Sequence, residues 1–367
     1  SQPVIKTGLG QLDKIGHGAW SIRFEQLERE RAGIGLHHSL GHRVLASNQD
    51  CMRADRENAE RRARAMAEAG VDLGQARLGV IGGSGLYAME GLEDVRKVKV
   101  KTPYGKPSET LLLGRLCELE VVLLARHGKN HSLLPTEVPY RANLWALRSL
   151  GVRWVLSISA VGSLQEQIRP LDMVVPDQLI DRTHQRPLTM FGDGLVAHVG
   201  FGDPFCPALS RLLADVAESL MPEGRNLHRG GTYLCMEGPA FSTRAESQLY
   251  RSWGCGVIGM TNHSEARLAR ECEIAYTTLA MATDYDCWHQ EHDAVTVEMV
   301  IDNLRANATL AQQIVRVTAE RLAAHRIPSK AHHALRHALM TPMAKVPAAT
   351  RRRVDLLTTP YWGSCAD

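Results

Sequence analysis

From residue 77 to about residue 326, short apolar runs alternate with longer amphipathic stretches. The apolar runs are three to eight residues long and rich in Val, Ile and Leu, as buried strands are. They predict strands at Leu78–Ile81, Val98–Val100, Thr110–Leu113, Val121–Ala125, Trp154–Ser159, Met173–Val175, Thr232–Met236, Val257–Met260 and Ile274–Met281. Between them, helical periodicity predicts Pro139–Leu150, Pro207–Leu220, Arg244–Trp253, Ser264–Cys272 and Thr296–Ala324. The alternation implies one α/β domain over residues 76–326, with a central mixed β-sheet flanked by helices. In such sheets ligands gather beyond the strand C-termini, where the glycine turns fall.

The two ends read differently. Residues 1–75 carry few strand signals, and their role is unassigned. Within them Asn48–Ala69 is a polar helix candidate that stops at Gly70. Residues 327–367 hold four prolines, His332, His333, His337 and the run Arg351–Arg353. The expectation there is an irregular, basic, solvated tail.

Composition narrows the function classes. A hydrophobic share of 44% suffices for a large core. A formal charge of +3 gives no reason to expect a nucleic-acid partner. No apolar run reaches the ~18 residues of a membrane helix, so no membrane partner is expected either. The eight cysteines form no C-x-x-C pair and no metal set stands out. With no signal peptide visible, free thiols in a reducing cytoplasm are expected.

Candidate chemistry collects at the predicted strand ends. Asp284 and Asp286 follow the strand Ile274–Met281 at i and i+2, and so face one side. Carboxylates that close repel, which favours one of them holding a proton near neutral pH. A neutral Asp donates and an ionised one accepts, which suits a ligand edge such as N7 and the 6-amino group of adenine. The plainer alternative is a pair of solvated loop aspartates. Gly82-Gly83-Ser84-Gly85 ends the first strand, where backbone amides and the Ser84 hydroxyl can converge on an anion. It is neither G-x-G-x-x-G nor a P-loop. Arg126 and His127 end another strand, and an Arg there can grip phosphate bidentately. Ser159-Ala160-Val161-Gly162 ends a third. Phe241 offers a face to a base or sugar, Ser242 can cap the next helix, and Met260-Thr261 closes a further strand. Each of these has a structural alternative, as turn, core side chain or cap.

Taken together, the strings IGGSGLY, TPYGKPS, LLARHGKNH, YRANLWAL, SAVGSL, DPFCP, MEGPAFSTRAES, GMTNHSEARLA and MATDYDCW resemble the methylthioadenosine phosphorylases, of the trimeric purine nucleoside phosphorylase superfamily. The resemblance covers about residues 77–326. It implies an enzyme, usually a homotrimer, that uses inorganic phosphate as co-substrate and no cofactor. It assigns phosphate binding to Ser84, Arg126, His127, Ser159, Ala160 and Ser242. Phe241, Met260 and Thr261 would contact ribose and base. Asp284 would donate to purine N7 and Asp286 accept from the 6-amino group. Val297, Val300 and Ile301 would line the 5'-methylthio pocket, and His198 would reach that pocket from a neighbouring subunit. Two positions depart from the family pattern: Ala240 stands where Arg is usual and Ser264 where Pro is usual. The first 75 and last 40 or so residues match no recognised part of the family. The alternatives are a 6-oxopurine nucleoside phosphorylase, a hydrolytic nucleosidase and a catalytically silent binding subunit.

Overall fold

Strand β5 (Val152–Ser163) is the spine of the molecule, and its near-continuous apolar run fits a strand covered on both faces. The computed structural model describes residues 75–83, 89–128, 130–289 and 297–362. Along one edge of β5 runs β11 (Ala275–Asp284), parallel, from Ala275 opposite Trp154 to Asp284 opposite Gly162. The other edge is shared. Strand β1 (Arg77–Gly82) pairs parallel with it as far as Ser157, and β10 (Cys255–Gly259) pairs antiparallel at Gly162 and Ser163.

The sheet extends outward from these four strands. Beyond β1 lie β4 (Leu119–Ala125), β3 (Leu111–Leu116) and β2 (Leu92–Val98). Beyond β10 lie β9 (Thr232–Met236) and β7 (Gln178–Arg182), while β6 (Met173–Val175) and β8 (Leu227–Arg229) follow β11. The pairings of β2 with β3, β3 with β4, β10 with β5 and β11 with β6 are antiparallel and the others parallel. The expected mixed central sheet is what forms.

Side-chain alternation along the strands makes two cores. On one face Leu78, Val80, Leu156 and Leu279 meet Leu209 and Leu213 of α2 (Pro207–Leu220) and Ile314 and Leu322 of α5 (Val297–Ala324). On the other, Ile81, Val155 and Tyr276 meet Leu144 of α1 (Tyr140–Ser149) and Leu268 of α4 (Asn262–Glu271). A short helix, α3 (Arg244–Ser252), opens on Thr243, whose hydroxyl accepts from the Glu246 amide in a reciprocal capping box.

Three expectations need correction. Strand β2 ends at Val98 instead of starting there. It is an exposed edge bearing Glu93, Asp94, Arg96 and Lys97, so its sequence shows no apolar run. Strands β7 and β8 are short and half polar and gave no signal. The tail is not solvated. Residues 330–362 form two 3-10 turns and helix α6 (Ala348–Trp362), whose Thr350, Val354, Leu357 and Thr358 are buried along one helical face. His332 and Arg153 bond each other's backbone carbonyls at 3.0 and 2.9 Å, which fixes the tail to β5. The tail also bonds the loop around His198, since His198 N–H donates to Ala338 O at 2.8 Å and Met340 N–H to Val196 O at 2.9 Å. The helix candidate Asn48–Ala69 lies outside the described residues.

Candidate active site

Strand β11 delivers Asp284 at its last residue, and Asp286 follows in a left-handed conformation with φ 50°. Aspartate tolerates that region better than most side chains. Both carboxylates are buried. Asp284 Oδ1 accepts from the Asp286 backbone N–H at 2.8 Å, and Oδ2 accepts from the Thr283 hydroxyl at 2.7 Å. Burial raises the pKa of Asp284, against those two bonds, and the Asp286 charge adds to the rise. Burial also raises that of Asp286. The Ser247 and Ser242 side chains lie near Asp286, and among the described residues its Oδ2 closes no hydrogen bond. The pair is therefore not two solvated loop aspartates.

Gly162 lets the pair sit against β5. A Cβ there would lie 3.0 Å from Asp284 Oδ1 and 3.3 Å from Asp286 Cβ. Asn303 of α5 donates to Thr283 O at 2.6 Å and ties that helix to the end of β11. Val297 and Val300 fall in the first turn of α5, and their side chains lie outside the described residues. Ile301 is 39% exposed, so it is not a core residue.

The second station lies at the end of β4. Arg126 is buried, and its guanidinium grips Glu265 of α4 bidentately, with Nε on Oε1 and Nη2 on Oε2. Nη2 also donates to Ser157 Oγ at 2.6 Å, and Nη1 to Ile158 O at 3.1 Å. One N–H, on Nη1, remains for anything else. The Nε/Nη2 edge of the fork, expected to hold phosphate, is thus occupied by Glu265. His127 is partly buried, and its Nδ1 donates to Leu133 O at 2.8 Å. Burial, then the Arg126 charge, lowers its pKa to about 4, so the ring is neutral. Ser159 is buried on β5 with Oγ 3.4 Å from Tyr233 OH, and Ala160 beside it is partly exposed. Ser84 lies outside the described residues.

The loop after β9 forms a third group. Met260 packs beneath Gly238, whose φ of 70° and close approach to the Met260 sulfur leave no room for a side chain. Arg186 clamps this loop, donating to Glu237 Oε1 at 2.8 Å, Glu237 O at 2.6 Å and Met260 O at 3.0 Å. Phe241 is 45% exposed, its face uncovered in this chain. Ser242, expected with the phosphate residues, is buried near Asp286; its hydroxyl donates to Met236 Sδ at 3.7 Å, and the Cys287 thiol donates to its carbonyl at 3.1 Å. Thr261 is buried at the N-terminus of α4, one turn before Glu265. His198 stands apart, lining a surface cavity of about 420 Å³ with Phe201, Arg267 and Glu271, and no other expected site residue lines it.

Sequence reasoning missed Glu265, Gly162 and Asn303. Each acts on a partner far along the chain, and neither spacing nor residue type marks that. Of the two departures, Ser264 buries its hydroxyl without a partner, and Ala240 is exposed. The neighbouring His263 is neutral, lowered to about 4 by burial, and its Nδ1 lies 3.1 Å from Asp181 Oδ2.

Residues 77–320 match the model of the phosphorylase superfamily. The S-methyl-5'-thioadenosine phosphorylase of Prochlorococcus marinus is 66% identical over 291 residues, which are 79% of this chain and 93% of that one. That of Thermosynechococcus vestitus is 59% identical over 78% of this chain and 99% of its own. A crystal structure of methylthioadenosine phosphorylase from an antarctic soil metagenomic library superposes with a TM-score of 0.74 at 50% identity, covering 77% of this chain and 99% of that one. The 291 matched residues of the 367 leave a remainder too short to hold both 1–75 and 327–367. The match therefore extends beyond residues 76–326 into one end of the chain or both. The chain belongs to the phosphorylase superfamily and, within it, to the methylthioadenosine phosphorylase family.

Proposed function

We propose that the protein catalyses phosphorolysis of S-methyl-5'-thioadenosine to adenine and 5-methylthioribose 1-phosphate. The names of its relatives support the substrate. The observation that carries the chemistry is the buried carboxylate pair, with Asp284 raised toward its protonated form and Asp286 Oδ2 unpaired. Purine N7 takes the proton of Asp284, and the 6-amino group donates to Asp286. The Thr283 hydroxyl has a second acceptor, Val161 O at 3.2 Å. It can turn there and leave Asp284 Oδ2 to carry the transferable proton.

In the reaction a phosphate oxygen bonds to C1' of the ribose as the C1'–N9 bond breaks. The bonding pair passes to the purine, and protonation at N7 stabilises the charge that develops there. Phosphate held in line on the opposite ribose face prepays the entropy of the encounter. Arg126 Nη1, His127, Ser84, Ser159, Ala160 and Ser242 are proposed to hold it, with Phe241, Met260 and Thr261 around the ribose and base. Val297, Val300 and Ile301 are assigned to the methylthio group. Phosphate is the co-substrate, with no metal or other cofactor invoked. The exposed Phe241 and the cavity at His198 support a homotrimer in which His198 serves a neighbour's site. The proposal places the enzyme in the cytoplasm.

Incubation with methylthioadenosine, with and without phosphate, tests the reading. Adenine formed only with phosphate is the expected result. Adenine without phosphate would mean a nucleosidase, and none in either case, with turnover of inosine instead, a 6-oxopurine enzyme.

A further inference from the structure

The anion station of this chain carries less positive charge than its residue types suggest. Arg126 spends its charge on Glu265, which meets it through both carboxylate oxygens and also accepts from Tyr276 OH at 2.8 Å and Ser157 Oγ at 3.0 Å. His127 presents a second obstacle. Its Nδ1 is 2.8 Å from the Leu133 carbonyl, and a carbonyl only accepts, so Nδ1 carries the ring proton. In the neutral ring the other nitrogen, Nε2, is then a bare acceptor, and it has no hydrogen-bond partner among the described residues. An acceptor facing a fully ionised oxyanion is repulsive.

The charged and titratable groups around His127 are few. Arg126 adjoins it on the same turn, His131 stacks on it at 4.3 Å between ring centroids, and Glu265 faces it from α4. Arg126 and His131 both oppose a charge on the free ring, which stays neutral at ordinary pH. A dianion reverses the balance, because the imidazolium then gains a partner.

We infer that an oxyanion bound between Arg126 and His127 enters together with one proton, which rests between His127 Nε2 and the anion. The inference rests on the assignment of phosphate to these two residues. For phosphate the proton comes with the ligand as a P–O–H group that donates to Nε2. For an anion with no proton of its own, Nε2 takes one from solvent and becomes the donor. For an anion with no proton of its own, the complex holds one proton more than the free site and the anion together, so its affinity falls as pH rises through the neutral range.

Sulfate is the probe, because it does not titrate near neutral pH and isolates the ring. Its inhibition of the whole enzyme is measured against phosphate from about pH 5 to 8. Calorimetry of sulfate binding in two buffers of different ionisation heat counts protons directly. The expected result is competition with phosphate, an inhibition constant rising about tenfold per unit between about pH 5 and 7, and uptake of close to one proton. His127→Gln keeps a donor that needs no protonation and should flatten that rise while competition persists. Competition with a pH-independent constant and no proton uptake overturns the inference and leaves the site assignment standing. Sulfate that fails to compete with phosphate overturns the assignment itself and the inference with it. The calorimetry uses the unaltered protein, so the test survives a variant that does not fold.

Discussion

Replacing Asp284 by Asn separates proton donation from structure more cleanly than any other change in this site. The two side chains have the same shape. Oδ1 of an Asn can keep the 2.8 Å bond from the Asp286 N–H, which has no freedom to move. Nδ2 then faces the Thr283 hydroxyl, which can turn to Val161 O and accept from it. One Nδ2 hydrogen keeps a partner and the shape is unchanged, so the packing survives. Stability should not fall. The Asp284 pKa is raised in the fold, so the native state favours the neutral form and its ionisation costs stability above the unfolded pKa of about 4. An uncharged Asn escapes that cost. Catalysis should suffer, because Asn cannot release a proton to the leaving purine. Loss of a general acid is worth about 10²- to 10⁴-fold, or roughly 3–5 kcal/mol of barrier. The assay is kcat for adenine release from methylthioadenosine at saturating phosphate, beside a thermal unfolding midpoint. A kcat within about threefold of the parent, in a variant that melts normally, would refute the role given to Asp284.

Other outcomes follow from the same coordinates. Gly162→Ala puts a methyl 3.0 Å from Asp284 Oδ1, and the carboxylate must shift by a few tenths of an ångström. We expect kcat to drop about tenfold or more with little change in melting, and unchanged turnover would show that the close packing is irrelevant. Leu357→Ala should cost about 2–4 kcal/mol in denaturant unfolding, because Leu357 is buried in the second core, whereas a solvated tail would lose under ~0.5 kcal/mol. His332 is buried and neutral, with its pKa pushed down to about 3 by burial and the Arg153 charge. Its contribution is present above the unfolded pKa of about 6.5 and lost as pH falls toward 3, by a few kcal/mol at most. The slope of stability between those limits should shrink in His332→Gln, and an unaltered slope would remove His332 from the acid response.

The parts of the fold that could be read from the sequence are those where one segment carries its own pattern. The runs that became β1, β4, β5, β9 and β11 are apolar because both faces are covered, and α2 begins and ends where its periodicity does. The edge strand β2 was misread because its exposed face holds charges, and α6 because its arginines hide one narrow buried face. In the site, Asp284 and Asp286 were legible as a local pair at a strand end. Glu265 was not, because its partner Arg126 lies 139 positions away.

The shared edge of β5 bears on how the protein is made. One edge pairs with β1, which precedes it, but the other awaits β11, and the last residues await β10. On a ribosome the chain between Ser163 and Ala275 must be synthesised first, roughly 5–20 s at ordinary elongation rates. For that interval a long apolar strand presents an open row of amides and carbonyls, a template for pairing with another nascent copy. Yield in a heterologous host should therefore depend on chaperone supply and growth temperature more than on the stability of the finished enzyme.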